Sequence, residues 1–189
     1  MVSVSVDGFD GFDGFDGFEG LDGFGGFESF LVNADVLRSL YGHVPGLERV
    51  RVRSVHLNWR GPTVTLRLDL PGFPESPPQE WADAGMDSVQ CQFAFPAVEP
   101  LVFAQWEPPA VGDLRAVPFG GERRMRVSVG GTGVDLRFEC AASVVVRHVS
   151  AFRRGPAGAD GGPHLFLNRV DSLLFGSLPA THRKVFYER

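Results

Sequence analysis

The chain of 189 residues carries 18 Lys+Arg against 23 Asp+Glu, a formal net charge of -5, and only two cysteines. No stretch is apolar for the length that a membrane span requires, and neither cysteine has the CxxC spacing of a thiolate metal site. The acidity is local: residues 1–30 hold seven acids and no base, which leaves 18 basic and 16 acidic residues, a net charge of +2, for residues 31–189. The overall charge therefore does not indicate a basic partner.

A triplet repeat occupies the N-terminus, where residues 7–27 read DGFDGFDGFDGFEGLDGFGGF. A period of three fits neither a helix nor a strand. We predict a disordered low-complexity segment over residues 1–27 and a single domain over residues 28–189. The alternative is a Phe-Gly tail that associates with itself or with a partner. The repeat has neither the basic nor the apolar region of a signal peptide, so we expect a cytoplasmic protein.

The first predicted element of the domain is a short amphipathic helix. Asn33 is a favourable N-cap, an apolar stripe begins at Val36, and Gly42 ends the helix.

Two alternating runs, residues 50–59 and 63–70, follow the helix and predict an antiparallel hairpin across an Arg-Gly-Pro turn. The alternation slips near Ser54, which indicates a β-bulge. Trp59 then falls in step with the apolar residues, and Asp69 falls on the outward face.

The rest of the chain is again mostly strand. A proline-rich loop over residues 71–78 precedes five further alternating runs, at residues 86–95, 101–106, 124–129, 134–140 and 144–152. We predict that the third and fourth of these form a hairpin across Gly130–Gly133, and that a short helix lies near residues 168–175. The fold class is therefore α+β, mainly β: a curved antiparallel sheet or partly closed barrel with an N-terminal helix and a short C-terminal helix.

Two pairings could suggest catalysis. Asp69 and His56 lie on neighbouring predicted strands and resemble an acid/base pair, and Cys91 or Cys140 could act as a nucleophile with His148 as base. The competing interpretation is an exposed carboxylate with a half-buried histidine, and two cysteines on apolar faces where a thiolate is costly. We favour it and predict no catalytic residue, no cofactor and no metal site. The redox state of the two cysteines stays open.

Charge along the first strand does not indicate a nucleic-acid partner. Arg49, Arg51 and Arg53 alternate along it, with Arg67 on its hairpin neighbour. Nucleic-acid binders concentrate more positive charge than a domain of this net charge offers. A solvated sheet face is the simpler interpretation.

Aromatic and acidic residues beside proline pairs are candidates for a protein contact. Glu80 and Trp81 follow one such pair, and Trp106 and Glu107 precede another. Tryptophan at a loop edge is a common interface anchor. The alternative is that each tryptophan covers the sheet core. Together with Asp69 these four residues form our candidate contact surface.

Several segments of the domain resemble one bacterial family, the immunity protein 50 family of polymorphic-toxin immunity proteins. The segments that carry the resemblance are Leu40-Tyr41-Gly42, Pro45-Gly46-Leu47, SVHL at 54–57, GPTVTLRLDLP at 61–71, Phe73-Pro74, PPQEW at 77–81, VQCQFAF at 89–95, Val98-Glu99-Pro100-Leu101, Trp106 with Pro108-Pro109, HVSAF at 148–152, SLPAT at 177–181 and the closing FYER. The resemblance covers residues 28–189 and leaves out the repeat. These motifs are structural and contain no catalytic signature.

The resemblance implies a protein that binds a cognate toxin, encoded nearby, and neutralises it by stoichiometric occlusion. It carries no toxin-contacting position over to this chain. Two alternatives from the residues stay open: a small-ligand or enzymatic domain that uses a pocket in the curved sheet, and a scaffold module that acts through the Phe-Gly tail. The oligomeric state also stays open.

Overall fold

The computed structural model of the chain describes residues 26–120 and 123–181. The strands are β1 (Val50–Asn58), β2 (Thr63–Asp69), β3 (Ser88–Phe95), β4 (Leu101–Phe119), β5 (Arg124–Ala141), β6 (Val145–Phe152) and β7 (Leu165–Phe166). The α-helices are α1 (Asp35–Tyr41), α2 (Gln79–Asp83) and α3 (Arg169–Leu174), and a 3₁₀ turn at Phe27–Phe30 precedes α1. Apart from its end, the predicted low-complexity segment lies outside the described residues.

One seven-stranded antiparallel sheet organises the domain, in the order β5-β4-β1-β2-β3-β6-β7. The sheet does not close into a barrel, and the predicted α+β, mainly β fold with an antiparallel sheet is confirmed. The predicted C-terminal helix is also present, as α3.

The β1–β2 hairpin follows the sequence pattern closely. Its register shifts between Val52 and Ser54, where the bulge was predicted. On β2, Val64, Leu66 and Leu68 are buried at 1% exposure or less and face the apolar core. We call this side of the sheet the first face.

The N-terminal segment packs on the first face. Phe27, the last phenylalanine of the repeat, stacks on Phe93 of β3 with ring centroids 5.5 Å apart, so the folded structure takes in the end of the repeat. The prediction that Asn33 caps α1 was wrong. Its side chain instead donates to the carbonyl of Val146 at 2.8 Å and accepts from the N–H of Val146 at 2.9 Å. An amide side chain can occupy the edge of β6 in this way because it carries both a donor and an acceptor.

The β4–β5 pair is one long ribbon, and here the predicted strand boundaries were wrong. Gly130–Gly133 does not form a hairpin turn, because Gly131 lies opposite Gly112 in the middle of the ribbon. A Cβ on Gly131 would clash with the backbone of Val111 and Gly112. The glycines let two backbones approach where the ribbon bends. The ion pair between Arg126 and Glu139, both on β5, shows how far the ribbon folds back on itself.

The second face of the sheet is also covered. The chain after β6, residues 153–181, crosses this face and makes both polar and aromatic contacts with it. Gln92 of β3 donates to the carbonyl of Pro179 at 2.7 Å, and the hydroxyl of Ser150 lies 2.9 Å from Nδ1 of His164. We call residues 153–181 the C-terminal cover.

Candidate functional site

Asp69 lies at the centre of a buried polar cluster under the C-terminal cover. Arg53 donates from Nη2 to Oδ2 of Asp69 at 2.6 Å and from Nε to Oδ1 at 3.0 Å. Gln90 donates from Nε2 to Asp69 at 2.7 Å and to Asp160 of the cover at 2.8 Å. Asp69 is only 2% exposed, so the prediction of an outward, exposed carboxylate was wrong. Alternation had placed it on the correct face, but that face is covered.

The second carboxylate of the cluster is held ionised. Burial of Asp160 opposes its ionisation, but the hydrogen bond from Gln90 and the charges of Arg53 and Arg67 outweigh this effect and lower its pKa. Each carboxylate therefore faces a guanidinium. These ion pairs and hydrogen bonds fix the C-terminal cover on the sheet.

The other catalytic pairings do not form either. His56 lies opposite Thr65, whereas Asp69 lies opposite Arg51 at the far end of the same strand pair. Burial raises the pKa of the Cys140 thiol to about 12 and raises that of Cys91 further. Both cysteines are free thiols in the apolar core, where the reactive thiolate is disfavoured.

One cleft contains a histidine–carboxylate pair. It has a volume of about 450 Å³ and lies beside β6, between Asn33 and the start of α3. Nδ1 of His148 lies 3.1 Å from Oδ1 of Asp171, and both side chains are buried. His148 has a φ of 50° and lies where the register between β3 and β6 shifts. Among the described residues, those that line this cleft include no serine, threonine or cysteine.

No metal centre or membrane segment emerges from the described ranges. Within residues 26–120 and 123–181, no three His, Cys, Asp or Glu side chains converge as metal ligands would. The same ranges contain no helix long and apolar enough to cross a membrane.

The candidate contact residues on α2 separate into one buried and one exposed side chain. Trp81 is 1% exposed and packs near Phe73, with ring centroids 6.3 Å apart. It covers the sheet core, which was the alternative interpretation for both tryptophans. Glu80 is exposed to solvent.

The second aromatic–acid pair lies on β4, beside an irregularity in the ribbon. The register with β5 shifts between Trp106 and Val111. Trp106 is half-buried against the core and lies near Phe103, with ring centroids 6.0 Å apart. Phe103 is 38% exposed, and Glu107 is exposed. This part of β4 thus presents aromatic surface beside a carboxylate.

Trp59, the most exposed of the three tryptophans, was not among the predicted contact residues. Trp59 follows β1 and is 80% exposed, although strand parity had grouped it with the apolar residues. The signal that could have identified it is its position directly before Arg60-Gly61-Pro62, because a residue at a hairpin turn no longer follows the strand's alternation.

Comparison with known protein families identifies the family of this chain. The sequence profile of Immunity protein 50 matches residues 33–150. The chain belongs to the immunity protein 50 family. No curated protein and no solved structure matches the chain.

The matched region contains α1, strands β1 to β5 and most of β6. It runs from Asn33, before α1, to Ser150, near the end of β6. Asp69 and Gln90 therefore belong to the immunity-protein region, whereas Asp160 and the rest of the C-terminal cover lie outside it. The exposed residues Trp59, Glu80 and Glu107 all lie within the matched region.

Proposed function

We propose that this chain is a non-catalytic immunity protein that binds a cognate protein toxin and neutralises it by stoichiometric occlusion. The family match over residues 33–150 is the observation that carries the proposal. The chemistry of the described residues supports it, since Asp69 and Asp160 face guanidinium groups and both cysteines lie in the apolar core. We further propose a cytoplasmic location and a toxin gene adjacent to this one.

The contact surface that we propose uses the exposed members of the predicted set. Glu80 on α2 and Glu107 beside Trp106 on β4 present carboxylates to solvent, and aromatic residues with a polar rim are typical of protein interfaces. Asp69 and Trp81 act beneath the surface, because both are at most 2% exposed. Their loss would weaken binding only by weakening the fold.

Co-expression tests the proposal directly. Cells that express the toxin domain of the adjacent gene should die alone and grow when this chain is co-expressed. The Glu107→Ala variant should reduce protection without lowering the amount of folded protein, and the Trp81→Ala variant should reduce both. Failure of the wild-type chain to protect cells would contradict the proposed function.

The same co-expression experiment tests whether the N-terminal triplet repeat contributes to protection. A variant that begins at Gly26 retains Phe27, which packs on the core, and lacks most of the triplet repeat. The occlusion mechanism predicts full protection by this variant. Loss of protection with intact folding would instead support a scaffold that acts through the Phe-Gly tail.

A further inference from the structure

The turn between β1 and β2 exposes a tryptophan that the fold does not use. Residues 58–62, which we call the Trp59 turn, connect the two strands. Trp59 is 80% exposed, and Leu57 just before it is 46% exposed. Trp81, in contrast, is 1% exposed and packs in the core. An exposed aromatic side chain of this size gains hydrophobic free energy only when something covers it.

The Trp59 turn is held in one conformation before any partner arrives. The Oδ1 atom of Asn58 accepts from the N–H of Arg60 at 3.1 Å, and the hydroxyl of Thr63 donates to the carbonyl of Gly61 at 2.7 Å. The N–H of Val98 donates to the carbonyl of Pro62 at 2.8 Å and ties the turn to the neighbouring loop. A turn that is already ordered loses little conformational entropy on binding.

The Trp59 turn is also positively charged. The guanidinium of Arg60 lies 4.9 Å from the ring centroid of Trp59, a distance at which a cation and an aromatic ring attract. The hairpin segment 54–66 contains no aspartate or glutamate, and none of the ion pairs of the described residues includes Arg60. The charge of Arg60 is therefore available to a partner.

We propose that the Trp59 turn is an anchor by which this chain binds its toxin, with Trp59 in an apolar slot and Arg60 against an acidic rim on the toxin surface. Tryptophan and arginine are the residue types that dominate the binding energy of protein interfaces, in the centre and in desolvated pockets. This inference rests on the proposed function and adds the chemistry of the toxin surface: acidic around an apolar slot.

Binding kinetics of the full chain to the toxin domain of the adjacent gene test this inference. Surface plasmon resonance should show that Trp59→Ala weakens affinity by about 30-fold or more, the equivalent of the 2 kcal/mol that defines a hot spot. Arg60→Glu should slow association and remove much of its dependence on salt, because complementary charge acts mainly on the association rate. Leu173→Ala is the matched control, since Leu173 is 86% exposed on α3 and should leave binding unchanged.

The outcomes distinguish a failure of the Trp59 anchor from a failure of the proposed function. If the wild-type chain binds the toxin and Trp59→Ala binds equally well, the anchor is refuted and the proposed function stands. If the wild-type chain does not bind, both fail. A single-stranded DNA 12-mer serves as a second probe: DNA binding that Trp59→Ala abolishes, with toxin binding intact, would assign the turn to nucleic acid and overturn the inference. Thermal melting of each variant within about 2 °C of wild type confirms that the fold is unchanged, which the exposure of these side chains predicts.

Discussion

Replacing Trp81 with alanine tests whether this tryptophan supports the fold or contacts a partner. Its side chain is 1% exposed, and truncation of a buried tryptophan to alanine typically costs about 3–5 kcal/mol. That is a large share of the roughly 5–15 kcal/mol by which a domain is stable. For a domain of this size the melting temperature should fall by about 6–20 °C.

Urea denaturation followed by far-UV circular dichroism measures this loss without relying on tryptophan fluorescence. Trp59→Ala is the matched control: it removes the same atoms from a position that is 80% exposed, and should change the free energy of unfolding by no more than about 0.5 kcal/mol. If Trp81→Ala does not fold, Trp81→Phe should show a smaller loss in the same direction. A loss below about 1 kcal/mol for Trp81→Ala, or equal losses for the two alanine variants, would refute the reasoning.

Three further predictions concern the cover, the ribbon and acidity. Asp69→Asn removes the nearer of the two carboxylates that pair with the guanidinium of Arg53, which is 11% exposed, and should cost up to about 3–5 kcal/mol in urea denaturation, whereas Glu80→Gln at an exposed site should be nearly neutral; similar losses would contradict the buried ion pair. Gly133→Ala places a Cβ against the carbonyl of Glu107 at a φ of 75° and should lower the melting temperature, whereas Gly130→Ala, which meets nothing within 4 Å, should not; the opposite order would contradict the bent ribbon. Burial lowers the pKa of His164 below its ordinary value of 6.5, so the unfolded chain binds the proton more readily than the folded one. The contribution of His164 to stability is therefore complete above about pH 6.5 and declines as the pH falls below this value. His164→Gln should therefore flatten the loss of stability between about pH 7 and pH 5 relative to wild type, and an unchanged slope would contradict this account.

Strand alternation predicted which face each β2 residue occupies, but not which faces are covered. Asp69 lies on the side that parity gave it, yet it is buried because residues 153–181 return across that side. The cover comes from a segment far along the sequence, so the alternation within β2 carries no signal of it. The ion pair with Arg53 becomes apparent only when the two strands are placed side by side.

The prediction of a hairpin turn at Gly130–Gly133 was wrong because glycine serves a different purpose there. Gly130–Gly133 has the composition of a turn, and a hairpin was the natural expectation. The actual requirement is close backbone approach, since Gly131 lies against Gly112 within a continuous ribbon. Composition identifies where a chain can bend but does not distinguish a turn from a bent strand.

The residues of the candidate contact surface differ in exposure. Glu80 and Glu107 are exposed as expected, and Trp106 is half-buried. For Trp81 the sequence left an interface anchor and a core position open, and the structure places it in the core; Trp59, in step with a strand, is exposed. Local sequence does not resolve this difference, because burial of a tryptophan depends on which distant residues pack around it.

A titration of toxin activity tests the central claim most directly. The toxin domain of the adjacent gene is held at a fixed concentration well above the dissociation constant, and this chain is added in increasing molar ratio. Stoichiometric occlusion predicts that toxin activity falls linearly and reaches zero at one chain per toxin. Complete inactivation by a small fraction of an equivalent, which requires turnover, or full toxin activity at several equivalents would contradict the account.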